Sequence, residues 1–130
     1  MYIWEYNARQ EKIFSEGMMV ERRKYRRWML STYFNAYEMR LNSSIGHLAD
    51  ISYGGMMLIS KQPVETNIVF PIKIDLDKEV SKTSELKVMS RSVRCRKDTD
   101  FDYFDIGLKL LDLSSGNLKI IKQLIESYSI

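Results

Sequence analysis

Cysteine, proline and histidine are all scarce in this chain of 130 residues. Cys95 is the single cysteine, which excludes an intramolecular disulfide, and we expect it to be a buried apolar residue. His47 is the single histidine and has no second histidine or cysteine at ligand spacing. The sequence shows neither an apolar run of about 18 residues nor the apolar region of a signal peptide. We therefore expect a cytoplasmic protein with no membrane span and no metal.

Acidic and basic residues are nearly balanced, but the basic ones are unevenly distributed. The formal net charge is +3 and the isoelectric point is near 8.9. Residues 22–27 contain five cations, so the rest of the chain has a net charge of about −2. A basic patch on a nearly neutral domain favours a compact anionic ligand over a long polyanion.

Two short segments carry residues suited to a nucleotide. Residues 21–28 include four arginines, at 22, 23, 26 and 27, and planar guanidinium groups hold phosphates or stack on bases. Asp50 and Ser52 lie two residues apart, so on an extended strand they point to the same face. A carboxylate beside a hydroxyl suits the hydrogen-donating edge of a guanine. Gly55 has no Cβ and allows the backbone to turn or to approach a flat ligand.

Together these segments resemble the PilZ domain, the bacterial receptor module for cyclic di-GMP. The family pattern is RxxxR followed by [D/N]xSxxG. Arg23 and Arg27 match the first motif, and Asp50, Ser52 and Gly55 match the second. The resemblance implies that these five residues bind cyclic di-GMP.

A second register of the arginine motif, Arg22 with Arg26, also fits RxxxR. We prefer Arg23 with Arg27 because family members usually carry an apolar residue after the second arginine, and Trp28 stands there. Arg22 then directly precedes the motif. In the family an arginine at that place is associated with an intercalated ligand dimer, so we count Arg22 among the ligand-binding residues.

The resemblance continues to residue 126. Residues 104–110 are similar to the late family strand with its central glycine, here Gly107. The family often has a tryptophan where residues 94–96 fall; in its absence Arg94 or Arg96 could stack on a base. The family likeness divides the chain into an N-terminal segment, residues 1–20, and a PilZ-like domain, residues 21–130.

The hydrophobic pattern predicts a β-rich chain with one helix. Strands are expected near residues 33–41, 45–52, 56–60, 68–76, 86–97 and 101–110, with turns at 42–44, 53–55 and 98–100. Pro71 predicts an edge or bulge position, and a change of parity near residues 90–92 predicts a β-bulge. Leu118, Ile121, Leu124 and Ile125 mark a helix face, with Ser115 or Asn117 as N-cap.

The family resemblance extends this to an all-β fold. It implies a six-stranded antiparallel barrel with a C-terminal α-helix and a flexible or short-helical N-terminal segment. The series Asp98, Asp100, Asp102, Asp105 looks superficially like a calcium loop but lacks its glycine and terminal glutamate. A polar turn followed by alternating strand residues explains the series.

From the resemblance we expect a cyclic di-GMP receptor and adaptor that is not an enzyme and needs no cofactor besides its ligand. Ligand binding would change the conformation of the arginine-bearing segment and so regulate a protein partner. Two alternatives remain open. One is a small barrel that binds single-stranded nucleic acid through its cations, Tyr25 and Trp28, although we do not expect nucleic acid as a partner. The other is a PilZ-like adaptor that binds only proteins.

Overall fold

The computed structural model describes residues 26–76 and 84–130. Its elements are β1 (Trp28–Glu38), β2 (Ser43–Ile51), β3 (Gly55–Ser60), β4 (Val69–Asp75), β5 (Glu85–Lys97), β6 (Phe104–Leu111) and the helix α1 (Ser115–Tyr128). The strands pair antiparallel and close into a barrel in the order β1-β2-β3-β6-β5-β4. The predicted six-stranded barrel with a C-terminal helix is confirmed. The predicted N-terminal segment, residues 1–20, lies outside the described residues.

Alternating side chains fill the barrel and leave a polar outer face. In β4 the buried residues are Phe70, Ile72 and Ile74, and the residues between them are more exposed. The same alternation in the other strands builds one apolar core. The outer face is therefore where polar functional groups of the strands must lie.

The predicted bulge in β5 is confirmed. The register between β5 and β6 shifts between Ser92 and Arg94, and the extra residue, Val93, is 41% exposed. A second shift, in β2, lies between Leu48 and Asp50. Because a bulge reverses which residues face outward, these two shifts decide the outer face near Asp50 and Arg94.

Strand β1 differs from its prediction at both ends. It begins at Trp28, because the backbone of Trp28 and Met29 pairs with the end of β2 and the Ile130 N–H donates to the Met29 carbonyl at 2.9 Å. It ends at Glu38, because the carboxylate of Glu38 accepts the N–H groups of residues 40 and 41 at 2.9 and 3.1 Å. These contacts are remote or turn-specific, so the apolar pattern does not reveal them.

Pro71 is neither at an edge nor in a bulge, so that prediction was wrong. Strand β4 pairs with β5 and with β1, and Pro71 itself is opposite Met89. The last β1 partner is Glu38, opposite Ile72. Pro71 lies one residue beyond this pair, where its carbonyl accepts the Met39 N–H at 3.0 Å. The missing proline N–H thus falls where the ladder with β1 has ended.

Strand β6 begins at Phe104, three residues later than predicted, since the loop before it is longer. The Asp98 carboxylate accepts the N–H groups of Asp100 and Phe101 at 2.8 and 3.0 Å. The Asp98 N–H donates to the Tyr103 carbonyl at 2.9 Å. Asp98 therefore closes an Asx-type turn.

The helix covers the end of the barrel at which β1 begins. It buries Ile121, Leu124 and Ile125, whereas Leu118, predicted for the same face, is 37% exposed. The N-cap is Ser114, whose hydroxyl accepts the Asn117 N–H at 3.0 Å, so neither predicted cap was right. Within residues 26–76 and 84–130, no helix is long and apolar enough to cross a membrane.

Candidate functional site

Four of the predicted site residues lie at one end of the barrel. Asp50 is near the end of β2, Ser52 follows that strand, and Gly55 begins β3. Trp28 is opposite Ile51 and Met29 is opposite Asp50, so continuing the register by one residue places Arg27 beside Ser52. Arg22 and Arg23, the other predicted arginines, lie outside the described residues.

Asp50 belongs to the outer face of the sheet. Its neighbour Ile51 is fully buried in the core, and alternation along the strand turns Asp50 away from the core. Its cross-strand partners are Met29 and Met57. The Asp50 side chain is nevertheless only 4% exposed. It is thus a carboxylate held in a defined position at the outer surface.

Ser52 shapes the turn between β2 and β3. Its hydroxyl accepts the N–H groups of Gly54 and Gly55, each at 3.1 Å, and lies 3.4 Å from the Gly55 carbonyl. The Gly54 carbonyl in turn accepts the Leu110 N–H at 3.0 Å. This bond holds the hairpin that carries the second motif (Asp50 to Gly55, the motif hairpin) against β6. A direct contact between Ser52 and a base stays a prediction, and it would require the hydroxyl to exchange these bonds.

The two arginines next to β1 have different surroundings. The guanidinium carbon of Arg26 lies 4.0 Å from the centre of the Trp28 ring, within cation–π distance, and Trp28 packs against the core. Arg27 is half-buried and directly precedes Trp28, the residue opposite Ile51. This arrangement favours the register in which Arg27, not Arg26, completes the arginine motif.

A row of outward-facing residues crosses the sheet from Asp50. Asp50 is opposite Met57, Met57 is opposite Gly107, and Gly107 is opposite Arg94. Cys95 is the next residue of β5 and packs against the core, but it is only partly buried, whereas a buried residue was expected. Arg94 therefore lies opposite Gly107, which has no side chain, and belongs to the same row as Asp50.

A groove of about 500 Å³ lies on the outer face beside Asp50. Its floor is a small apolar cluster of Ala49, Met57 and Ile59, separate from the core. Its walls include Tyr33, Met29, Tyr103, Asp98 and Asp105. Sequence reasoning missed this groove, because its residues come from four different strands, one loop and the C-terminal Ile130.

The groove has an acidic rim. Burial raises the pKa of the Asp105 carboxyl above its usual value, and the negative charge of Asp98 raises it further. Carboxylates accept hydrogen bonds and repel phosphates. The rim therefore suits hydrogen-bond donors. Among the described residues, no group of three histidine, cysteine or acidic side chains is placed to hold a metal ion.

Comparison with known proteins agrees with this geometry. The family model of the PilZ domain matches residues 21–127. No curated protein matches the chain. Among solved structures, the inhibitor of motility MotI/DgrA of Bacillus subtilis is similar with a TM-score of 0.67 and 16% identity, over 82% of this chain and 50% of that one. The chain thus spans half the length of that neighbour.

Two further structures have cyclic di-GMP in their names. The PilZ domain of YcgR from Escherichia coli, with c-di-GMP, gives a TM-score of 0.62 and 18% identity, covering 82% of this chain and 90% of that one. The MrkH–c-di-GMP complex of K. pneumonia gives a TM-score of 0.64 and 16% identity, covering 82% of this chain and 52% of that one. The TM-scores of these structures establish a shared fold. With the motif hairpin, the closed barrel and the family match over residues 21–127, the chain belongs to the PilZ domain family.

Proposed function

We propose that this chain is a cyclic di-GMP receptor that acts as a signalling adaptor and not as an enzyme. One observation supports the proposal: Asp50, Ser52 and Gly55 lie in one hairpin at the barrel end where β1 begins, and Arg27 directly precedes Trp28, the partner of Ile51. The c-di-GMP-bound neighbours with the same fold support it. No cofactor besides the ligand is needed, and the cytoplasm, where this second messenger acts, is the expected location.

Each motif residue has a chemical role in this proposal. Arg23 and Arg27 hold phosphates and the Hoogsteen edge of guanine, which an arginine fork matches bidentately. Arg22 supports a second, intercalated ligand molecule. Asp50 accepts from the hydrogen-donating edge of a guanine. Gly55 allows close approach, and Ser52 fixes the hairpin that presents Asp50 and Gly55.

The groove beside Asp50 gives a guanine a place to lie. Its apolar floor of Ala49, Met57 and Ile59 suits the face of a base. Its acidic rim suits the N–H groups on the edge of the base, and the same carboxylates would repel a phosphate. The bases would therefore point toward Asp98 and Asp105, and the phosphates toward the arginines.

The observations give less support to a single-stranded nucleic-acid binder. Such proteins stack successive bases on exposed aromatic rings. The Trp28 ring packs against the core and is covered by Arg26 at 4.0 Å. Trp28 is therefore not available as a stacking platform.

Isothermal titration with cyclic di-GMP tests the proposal. We expect saturable binding by the wild type and a loss of at least tenfold in Arg27→Ala, because that change removes a charge-assisted bond to phosphate (about 1.5–3 kcal/mol). Arg26→Ala is the matched control, with the same charge change one residue away, and should bind within about threefold of the wild type.

Two outcomes would contradict the proposal. One is an absence of binding by the folded wild type, which would favour an adaptor that binds only proteins. The other is equal binding of cyclic di-GMP and a short oligonucleotide, with a steep salt dependence shared by many cations. A larger loss in Arg26→Ala than in Arg27→Ala would instead show that the other register of the arginine motif is correct.

A further inference from the structure

Two cations face each other on the outside of the barrel. Arg91 of β5 is the direct cross-strand partner of Lys109 of β6. Like charges directly opposite in a sheet are destabilising. Two lysines on the same outer face are compensated: Lys73 lies 3.7 Å from Asp75, and Lys87 lies 3.6 Å from Glu85. In the part of the chain that the structure describes, neither Arg91 nor Lys109 has an ion-pair partner.

This cation pair adjoins the motif hairpin. Gly55 is the direct partner of Lys109 on β3, so Gly55, Lys109 and Arg91 form one row across three strands. Neighbouring strands are about 4.8 Å apart, which places the Lys109 backbone about 5 Å and the Arg91 backbone about 10 Å from Gly55. A ligand lying against Gly55 is therefore within reach of both long side chains.

Charge along β6 changes sign across the site. Its successive outward residues are Asp105, Gly107 and Lys109. They span about 13 Å, at about 3.3 Å per residue. Asp105 belongs to the acidic groove, which repels phosphate, and Gly107 leaves a gap without a side chain. An anionic group on this surface is thus favoured at the Lys109 end.

We propose that Arg91 and Lys109 form an anion subsite, additional to the arginine motif, that takes a phosphodiester group of the bound cyclic dinucleotide. This rests on the proposed function. A bound phosphate would neutralise two cations whose mutual repulsion destabilises the ligand-free barrel. The same two residues therefore lower the stability of the empty protein and raise the affinity for the ligand.

The test combines ligand affinity with the stability of the ligand-free protein. Lys109→Gln and Arg91→Gln should each weaken cyclic di-GMP binding by about tenfold in titration calorimetry, as expected for loss of a charge-assisted bond. Each variant should also have an unchanged or higher Tm without ligand, because the repulsion is removed. Lys87→Gln is the matched control: it removes from β5, the strand of Arg91, a cation that is already paired with Glu85.

Salt separates a direct contact from distant attraction. In 0.5 M NaCl long-range attraction is screened, so the difference between Lys109→Gln and Lys87→Gln should persist if Lys109 contacts the phosphate. Affinities of Lys109→Gln and Arg91→Gln within twofold of Lys87→Gln would overturn the subsite. If Arg27→Ala still weakened binding at least tenfold in that case, the proposed function would stand. A folded wild type that bound no cyclic di-GMP would overturn both.

Discussion

At the scale of single residues, Asp50 and Ser52 have different surroundings although they are two positions apart. The Ser52 hydroxyl holds two backbone N–H groups of its own hairpin. The Asp50 carboxylate lies on the outer face between Met29 and Met57. Ser52 therefore holds the shape of the hairpin, whereas ligand contact by Asp50 stays a prediction.

Substitution separates these two roles. Ser52→Ala leaves the N–H groups of Gly54 and Gly55 without their acceptor, so we expect a loss of about 1–3 kcal/mol in the free energy of unfolding by urea. Asp50→Asn keeps the shape of the side chain and should reduce cyclic di-GMP affinity at least tenfold while the protein stays folded. Unchanged stability in Ser52→Ala, or unchanged affinity in Asp50→Asn, would contradict these assignments.

At the scale of elements, the helix depends on one residue outside its apolar face. Ser114 adopts an extended conformation and its side chain accepts the Asn117 N–H. Asn117 itself donates from Nδ2 to the Lys87 carbonyl at 3.1 Å, which ties the helix start to β5. Ser115 is already the first helical residue, so its hydroxyl is not the cap.

This assignment predicts different costs for two adjacent serines. Ser114→Ala should lower the free energy of unfolding by about 1 kcal/mol, the usual value for loss of an N-cap. Ser115→Ala should change it by less than about 0.5 kcal/mol, as is usual for exposed positions without such a contact. Urea unfolding of both variants gives the comparison, and equal effects would rule out Ser114 as the cap.

At the scale of the whole molecule, the start of β1 joins the candidate site to the end of the helix. On one side Met29 pairs with Asp50, and on the other its carbonyl accepts the Ile130 N–H at 2.9 Å. Leu30 also forms a bridge with Ser129. In the sequence the arginine-bearing segment, residues 21–27, directly precedes β1. A ligand that draws the arginines onto the barrel would therefore act next to Met29, which is bonded both to β2 and to Ile130.

The adaptor mechanism predicts a change in this segment on binding. We expect amide hydrogen exchange of residues 21–27 to slow by at least tenfold with saturating cyclic di-GMP, because the arginines become fixed on the ligand. Ile106 and Leu108, buried in β6, serve as internal controls and should change less. Identical exchange of residues 21–27 with and without ligand would contradict the mechanism.

Much of the fold could be predicted from the chain because alternation marks each strand. The β4 run and the parity change in β5 were both recognised from apolar spacing alone, and both are present. Strand ends were predicted less well. The start of β1 depends on Ile130, about a hundred residues away, and its end depends on the carboxylate of Glu38. Such contacts leave no periodic signal.

For the site, the sequence by itself determined the motif residues and the glycine and serine turn that presents Asp50, because turn chemistry is local. Only the tertiary structure decided which side chains share the outer face with them. Barrel closure places Lys109 and Arg91 in one row with Gly55, and brings Asp105 into the lining of the groove. These neighbours come from strands far apart in the chain. Their proximity depends on register, and register is fixed only when the barrel closes around its core.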